Sequence, residues 1–121
     1  MDISDISRNE NGGYVQVVVT NTGNIAAKLV RTQQSLSSSP ITEEQLRSGK
    51  DITNKVVILP GRKRDIALAQ SLSYQYLGVL VRYEYAKNKH RESGIIVKYN
   101  DLVKRFEVLE EFATRLISSN F

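Results

Sequence analysis

Two stretches of the chain concentrate positive charge, Arg62-Lys63-Arg64 and Lys87-Asn88-Lys89-His90-Arg91. Cations this closely spaced neutralise successive phosphates or sulfates of a polyanion, and a tyrosine beside them offers a face on which a base can stack. Arg62, Lys63, Arg64, Lys87, Lys89 and Arg91 are therefore the candidate polyanion contacts. Both stretches also read as turns, and a solvated turn accounts for them without a partner. A net charge of +4 draws the surface only weakly toward nucleic acid, acidic polysaccharide or anionic lipid.

Other chemistry finds little support. His90 is the single histidine, which removes multi-histidine metal sites and leaves one imidazole for a nucleophilic triad. Its neighbours Lys89 and Arg91 disfavour protonation and repel a metal ion, so it reads as a solvent-exposed loop side chain. No serine sits in a Gly-x-Ser-x-Gly elbow, and no glycine-rich phosphate loop occurs. Glu43-Glu44 and Glu110-Glu111 are adjacent pairs that diverge on a helix, whereas glycosidase carboxylates must face each other. Asp2, Asp5, Asn9 and Glu10 miss the twelve-residue calcium-loop spacing, which leaves them only a calcium shared at a domain junction. Cysteine is absent, so there is no disulfide framework or thiolate zinc site and no redox hint of compartment. The expectation is no enzyme, no cofactor, and no catalytic or metal-ligating residue.

The elements that would carry these side chains are mostly strands. In Tyr14 to Thr20, Val15, Val17 and Val19 share one face, between turn-forming Asn11-Gly12-Gly13 and Asn21-Thr22-Gly23-Asn24. Ile25 to Gln33 leaves on the next strand. After the serine-rich Ser35 to Ser39, Thr42 and Gln45 have capping-box spacing, so a short helix is expected there, closed by Gly49 in a left-handed cap. Val56 to Leu59 is a strand stopped by Pro60-Gly61, which suits the centre of a type II turn.

Ile66 to Tyr76 alternates, with Ile66, Leu68, Leu72, Tyr74 and Tyr76 on one parity. Leu77 to Tyr85 does the same with Leu77, Val79, Val81, Tyr83 and Tyr85. Gly94 to Tyr99 is its antiparallel partner across a charged loop from Lys87 to Ser93. Tyr74, Tyr76, Tyr83, Tyr85 and Tyr99 would form a stacking platform on an exposed face, but Tyr83 and Tyr85 share their face with Leu77, Val79 and Val81, which favours the core, with their hydroxyls at a wet rim. From Asn100 the spacing becomes three and four, through Leu102, Phe106, Leu109, Ala113 and Leu116, which predicts an amphipathic helix packed on the sandwich edge.

The fold class expected is mainly β: an immunoglobulin-like antiparallel β-sandwich with a short connector helix and a C-terminal amphipathic helix. At 121 residues one core suffices, divided into a lead-in over 1–13, the sandwich over 14–99 and a helical tail over 100–121.

The run Val15 to Ala27, with its valine-rich strand and Asn-Thr-Gly-Asn turn, resembles the opening hairpin of CARDB-like and related immunoglobulin-like domains of prokaryotic cell-envelope proteins. Leu59-Pro60-Gly61 before Ile66 and the tyrosine-ended Val79 to Tyr85 extend the likeness to about half of the chain. The connector helix and the helical tail depart from that family. The resemblance implies a non-catalytic module displayed outside the cytoplasm on a larger or membrane-anchored protein, with a protein or another cell-envelope component as partner. It names no ligand.

Met1-Asp2-Ile3-Ser4-Asp5 is too acidic for a secretory signal, and no apolar run approaches the ~20 residues of a membrane helix. An export signal or anchor, if the gene encodes one, lies upstream. Two readings follow: an extracytoplasmic interaction or spacer domain, and a module that binds single-stranded nucleic acid or another polyanion through its basic loops.

Overall fold

The chain is described by a computed structural model that covers all residues except 54, 70–72 and 118–121. It is mainly β, with nine strands and one short helix among the described residues. The first sheet is formed by β1 (Asp2–Asn9), β2 (Tyr14–Thr20) and β6 (Lys63–Ala69), in the order β1-β2-β6. The second contains β3 (Ala27–Ser37), β4 (Lys50–Asp51), β5 (Val57–Ile58), β7 (Tyr76–Ala86), β8 (Lys89–Asn100) and β9 (Arg105–Ile117). Its order is β4-β3-β7-β8-β9, with β5 also on β3, and all described pairings in both sheets are antiparallel.

Alternation of side chains closes the two sheets on each other. Val15, Val17, Val19 and Leu68 face Leu29, Leu77, Val79, Val81, Tyr83, Ile95 and Val97 in one buried cluster. Burying each such side chain is worth roughly 1.5–3 kcal/mol, so this interior is the main source of stability. The inward facing expected of Val79 and Val81 is observed, and both are fully buried.

The second sheet is also covered on its outer face. There α1 (Glu43–Arg47) lays Leu46 against Leu80 and Ile96, with Ile41 beside it. The expected capping box is present: Gln45 N donates to Thr42 Oγ1 at 3.2 Å and Thr42 N donates to Gln45 Oε1 at 2.8 Å. Gly78 makes room for the helix, since a Cβ there would lie 2.8 Å from Leu46 Cδ1. Coverage on both faces explains the unbroken apolar runs Leu77-Gly78-Val79-Leu80-Val81 and Gly94-Ile95-Ile96-Val97.

Several expectations are corrected. The lead-in over 1–13 is no lead-in, because it contains β1, which pairs with β2 from Asp2↔Thr20 to Asn9↔Tyr14. Gly49 is not in the left-handed region; the helix ends at Ser48, and Gly49 is required because a Cβ would meet the Gln34 carbonyl oxygen at 2.4 Å. The charged loop from Lys87 to Ser93 shrinks to the two-residue turn Lys87-Asn88, with Asn88 at φ 58°. The strand expected over Ile66 to Tyr76 ends at Ala69, and Leu72 lies outside the described residues.

The largest correction is the C-terminal helix, which is strand β9 from Arg105 to Ile117; 118–121 lie outside the described residues, as do the side chains of Ala113 and Leu116. Asn100 Oδ1 accepts from Leu102 N at 2.9 Å, and Lys104 takes φ 57°, so the chain turns back onto β8 instead of entering a helix. Val97 pairs with Val108 but Ile96 with Glu110, so Leu109 is an extra residue, and a second shift falls between Glu92 and Gly94. Each bulge turns a two-residue step into three, which imitates helical spacing. Phe106 consequently packs on the inner core while Phe112 packs on the outer cluster.

Candidate functional site

The two basic stretches, separated by 22 residues or more in sequence, are carried to the same end of the sandwich. At that end β2 finishes, β3 and β6 begin, and β7 turns into β8. Pro60-Gly61 makes the turn before β6: Gly61 has φ 76° and Arg62 N donates to Leu59 O at 3.0 Å, as a type II turn requires.

Asn21 fastens this turn to the loop after β2. It is buried and donates from Nδ2 to both Ile25 O and Ile58 O at 2.8 Å. Its backbone N donates to Arg62 O at 3.0 Å, its carbonyl accepts from Gly61 N at 2.8 Å, and its Oδ1 accepts from Gly23 N at 2.9 Å. Five hydrogen bonds on one residue make two surface loops into one rigid rim.

On that rim Arg62 and Lys63 are exposed beside the turn, and Lys87, Lys89 and Arg91 are exposed along the β7–β8 hairpin. Arg64, opposite Val19, looks sideways into a crevice of about 180 Å³ with Leu29, Ile52, Val56 and Asp65. None of the six candidate cations forms an ion pair among the described residues. Arg91 lies over the Tyr85 ring, 4.5 Å from its centroid. Tyr83, Tyr85, Asn21, Asn24, Ile25 and Arg91 border a hollow of about 260 Å³ in the middle of this end.

The other tyrosines follow the core reading in part. Tyr83 and Tyr99 are buried, Tyr76 and Tyr85 are half-buried, and Tyr74 is exposed. They are dispersed and form no continuous platform, so Tyr85 is the ring nearest the cations. At the opposite end Arg8 stacks on Tyr99 at 3.4 Å beside a wide hollow of about 800 Å³.

His90 departs from the exposed-loop expectation. It lies in β8 opposite Glu84, mostly buried, with Nε2 3.4 Å from Glu84 Oε2. Two residues further along β8, Glu92 is only 2% exposed. Arg47 holds it with Nη1 at 3.0 Å and Nη2 at 2.5 Å, and Arg82 approaches at 3.5 Å. Burial alone would raise the Glu92 carboxyl, but the Arg47 hydrogen bonds and the charges of Arg47 and Arg82 outweigh it and hold the pKa below its ordinary value. Sequence reading missed this cluster. With the turn placed at Lys87-Asn88, Arg82 falls opposite Glu92 and Glu84 opposite His90, two complementary pairs visible in the residue order.

Among the described residues no three His, Cys, Asp or Glu side chains come together, and no helix is long and apolar enough to cross a membrane. The chain matches no protein-family model, no curated protein and no solved structure.

Proposed function

We propose that this chain is a non-catalytic, immunoglobulin-like interaction or spacer domain of a larger or membrane-anchored extracytoplasmic protein, related to the CARDB-like domains. The observation that carries the reading is strand order. β1-β2-β6 corresponds to strands A-B-E of an immunoglobulin-type sandwich and β3-β7-β8 to strands C-F-G, with β9 as an additional edge strand. Rigid sandwiches of this kind present loops at their ends for contact while the sheets supply the scaffold. Protease treatment of intact cells expressing the natural gene tests the placement: the domain is degraded before lysis. Protection until lysis contradicts it.

The second reading is polyanion binding, favoured by the gathering of both basic stretches at one end, where Tyr85 accompanies them. Arg62, Lys63, Lys87, Lys89 and Arg91 serve as phosphate or sulfate contacts, and Arg64 flanks them from the crevice. Retention on immobilised heparin and mobility shift of a single-stranded oligonucleotide at low salt test it. Both must weaken steeply between about 50 and 200 mM salt, as displaced counterions dictate. No retention even at low ionic strength eliminates this reading.

A further inference from the structure

The same end carries large aliphatic side chains in the open. Ile25 is 52% exposed, Leu59 57% and Val57 60%. Ile25 lies in the β2–β3 loop, Leu59 immediately precedes the Pro60-Gly61 turn, and Val57 stands on β5 at the sheet edge opposite Lys28. Asn21 binds the loop of Ile25 to the segment of Ile58 and Leu59 directly, so these side chains belong to one preformed rim.

From this arrangement we infer that the basic end is a docking surface for an anionic lipid bilayer, with Ile25 and Leu59 as the inserting side chains, Val57 on their shoulder, and Arg62, Lys63, Lys87, Lys89 and Arg91 on the headgroups. The inference rests on the polyanion reading and specifies its partner. Charge complementarity supports it, because these five exposed cations form no ion pair among the described residues. The aliphatic groups select lipid over nucleic acid. Protruding branched side chains offer no flat face to a base, and they leave water favourably only where an apolar phase receives them. A bilayer supplies both parts, since apolar groups enter its headgroup and acyl boundary while lysine and arginine remain at the anionic surface. The inserting residues are on turns whose backbone is already satisfied by Asn21, so little ordering accompanies docking.

Co-sedimentation with phosphatidylglycerol-containing vesicles, with pure phosphatidylcholine vesicles and with heparin beads tests the inference. The protein should pellet with the first, remain soluble with the second, and bind the beads. Ile25→Ser/Leu59→Ser should lower partition to the anionic vesicles at least about tenfold, from the apolar area no longer buried, with heparin binding unchanged. Each of Lys63→Gln and Lys87→Gln should lower both by roughly fivefold. Leu59→Trp reports insertion independently, since the chain contains no other tryptophan: its emission should shift to the blue on addition of anionic vesicles. Heparin binding with no vesicle binding, equal vesicle binding by the double serine variant, or an unshifted tryptophan overturns the lipid inference and leaves polyanion binding intact. Failure to bind either material overturns both.

Discussion

Arg47, at the end of a five-residue helix, reaches across the second sheet and grips the buried carboxylate of Glu92 with both terminal guanidinium nitrogens. A helix this short has little stability of its own, so its position depends on this contact, on Leu46 beneath it and on its capping box. Arg47→Ala leaves a buried carboxylate short of its two closest hydrogen bonds and should lower stability by about 3 kcal/mol. The apolar double variant Arg47→Met/Glu92→Leu should be less damaging than the two single changes summed. Urea unfolding of all four proteins measures that coupling, and strict additivity would refute it.

The same ion pair sets an acid limit. The Glu92 pKa is lowered by folding, from an ordinary value of 4.5, so the folded form binds its proton more weakly than the unfolded form. The stabilisation is complete above the ordinary carboxylate range and is lost as pH falls through 4.5 toward the lowered pKa. Melting temperature followed downward through that range should fall more steeply for the wild type than for Glu92→Gln, which has no proton to take up. Parallel curves would show that Glu92 is not responsible.

At Gly78 the helix lies close against the sheet. A Cβ there would lie 2.8 Å from Leu46, so Gly78→Val must displace α1, whereas the inner core between the sheets stays intact. The expected cost is about 1–3 kcal/mol, and Gly78→Val/Leu46→Ala should recover part of it. Hydrogen exchange should quicken at the helix and at β4 while the amides of β2 and β7 keep their protection.

Asn21 joins both loops of the basic end. Asn21→Ala removes two donated side-chain hydrogen bonds, leaves Ile25 O and Ile58 O to find other partners, and should lower stability by about 2 kcal/mol. It should also weaken heparin and vesicle binding although it removes no charge, because the rim loses its fixed shape. Unchanged binding by a destabilised variant would separate the loops' geometry from recognition.

Much of the scaffold was legible in local chemistry. Val15, Val17 and Val19 after the Asn11-Gly12-Gly13 turn, the Thr42–Gln45 capping box and Pro60-Gly61 each specify a conformation within a few residues, and each is observed. The misreadings involve partners distant in sequence. Asp2–Asn9 lacks a strong alternating pattern and is a strand because β2 supplies its hydrogen-bonding partner. β9 carries two bulges that change its period, and only β8 decides the matter. Arg62 and Lys87 were recognisable as basic turns, but their common end follows from sheet order. Ile25 and Leu59 pass for ordinary strand and turn residues until the loops around Asn21 are closed.

Every role proposed for the basic end requires that this end of the sandwich, and not the opposite one, meets the partner. Backbone amide chemical shifts, recorded while phosphatidylglycerol bicelles are added to the isotopically labelled protein, test this directly. Perturbations confined to the loop after β2, the Pro60-Gly61 turn and the Lys87-Asn88 hairpin are predicted. Perturbations centred on Arg8, Tyr99 and Lys104 at the opposite end, or none at all, would contradict it.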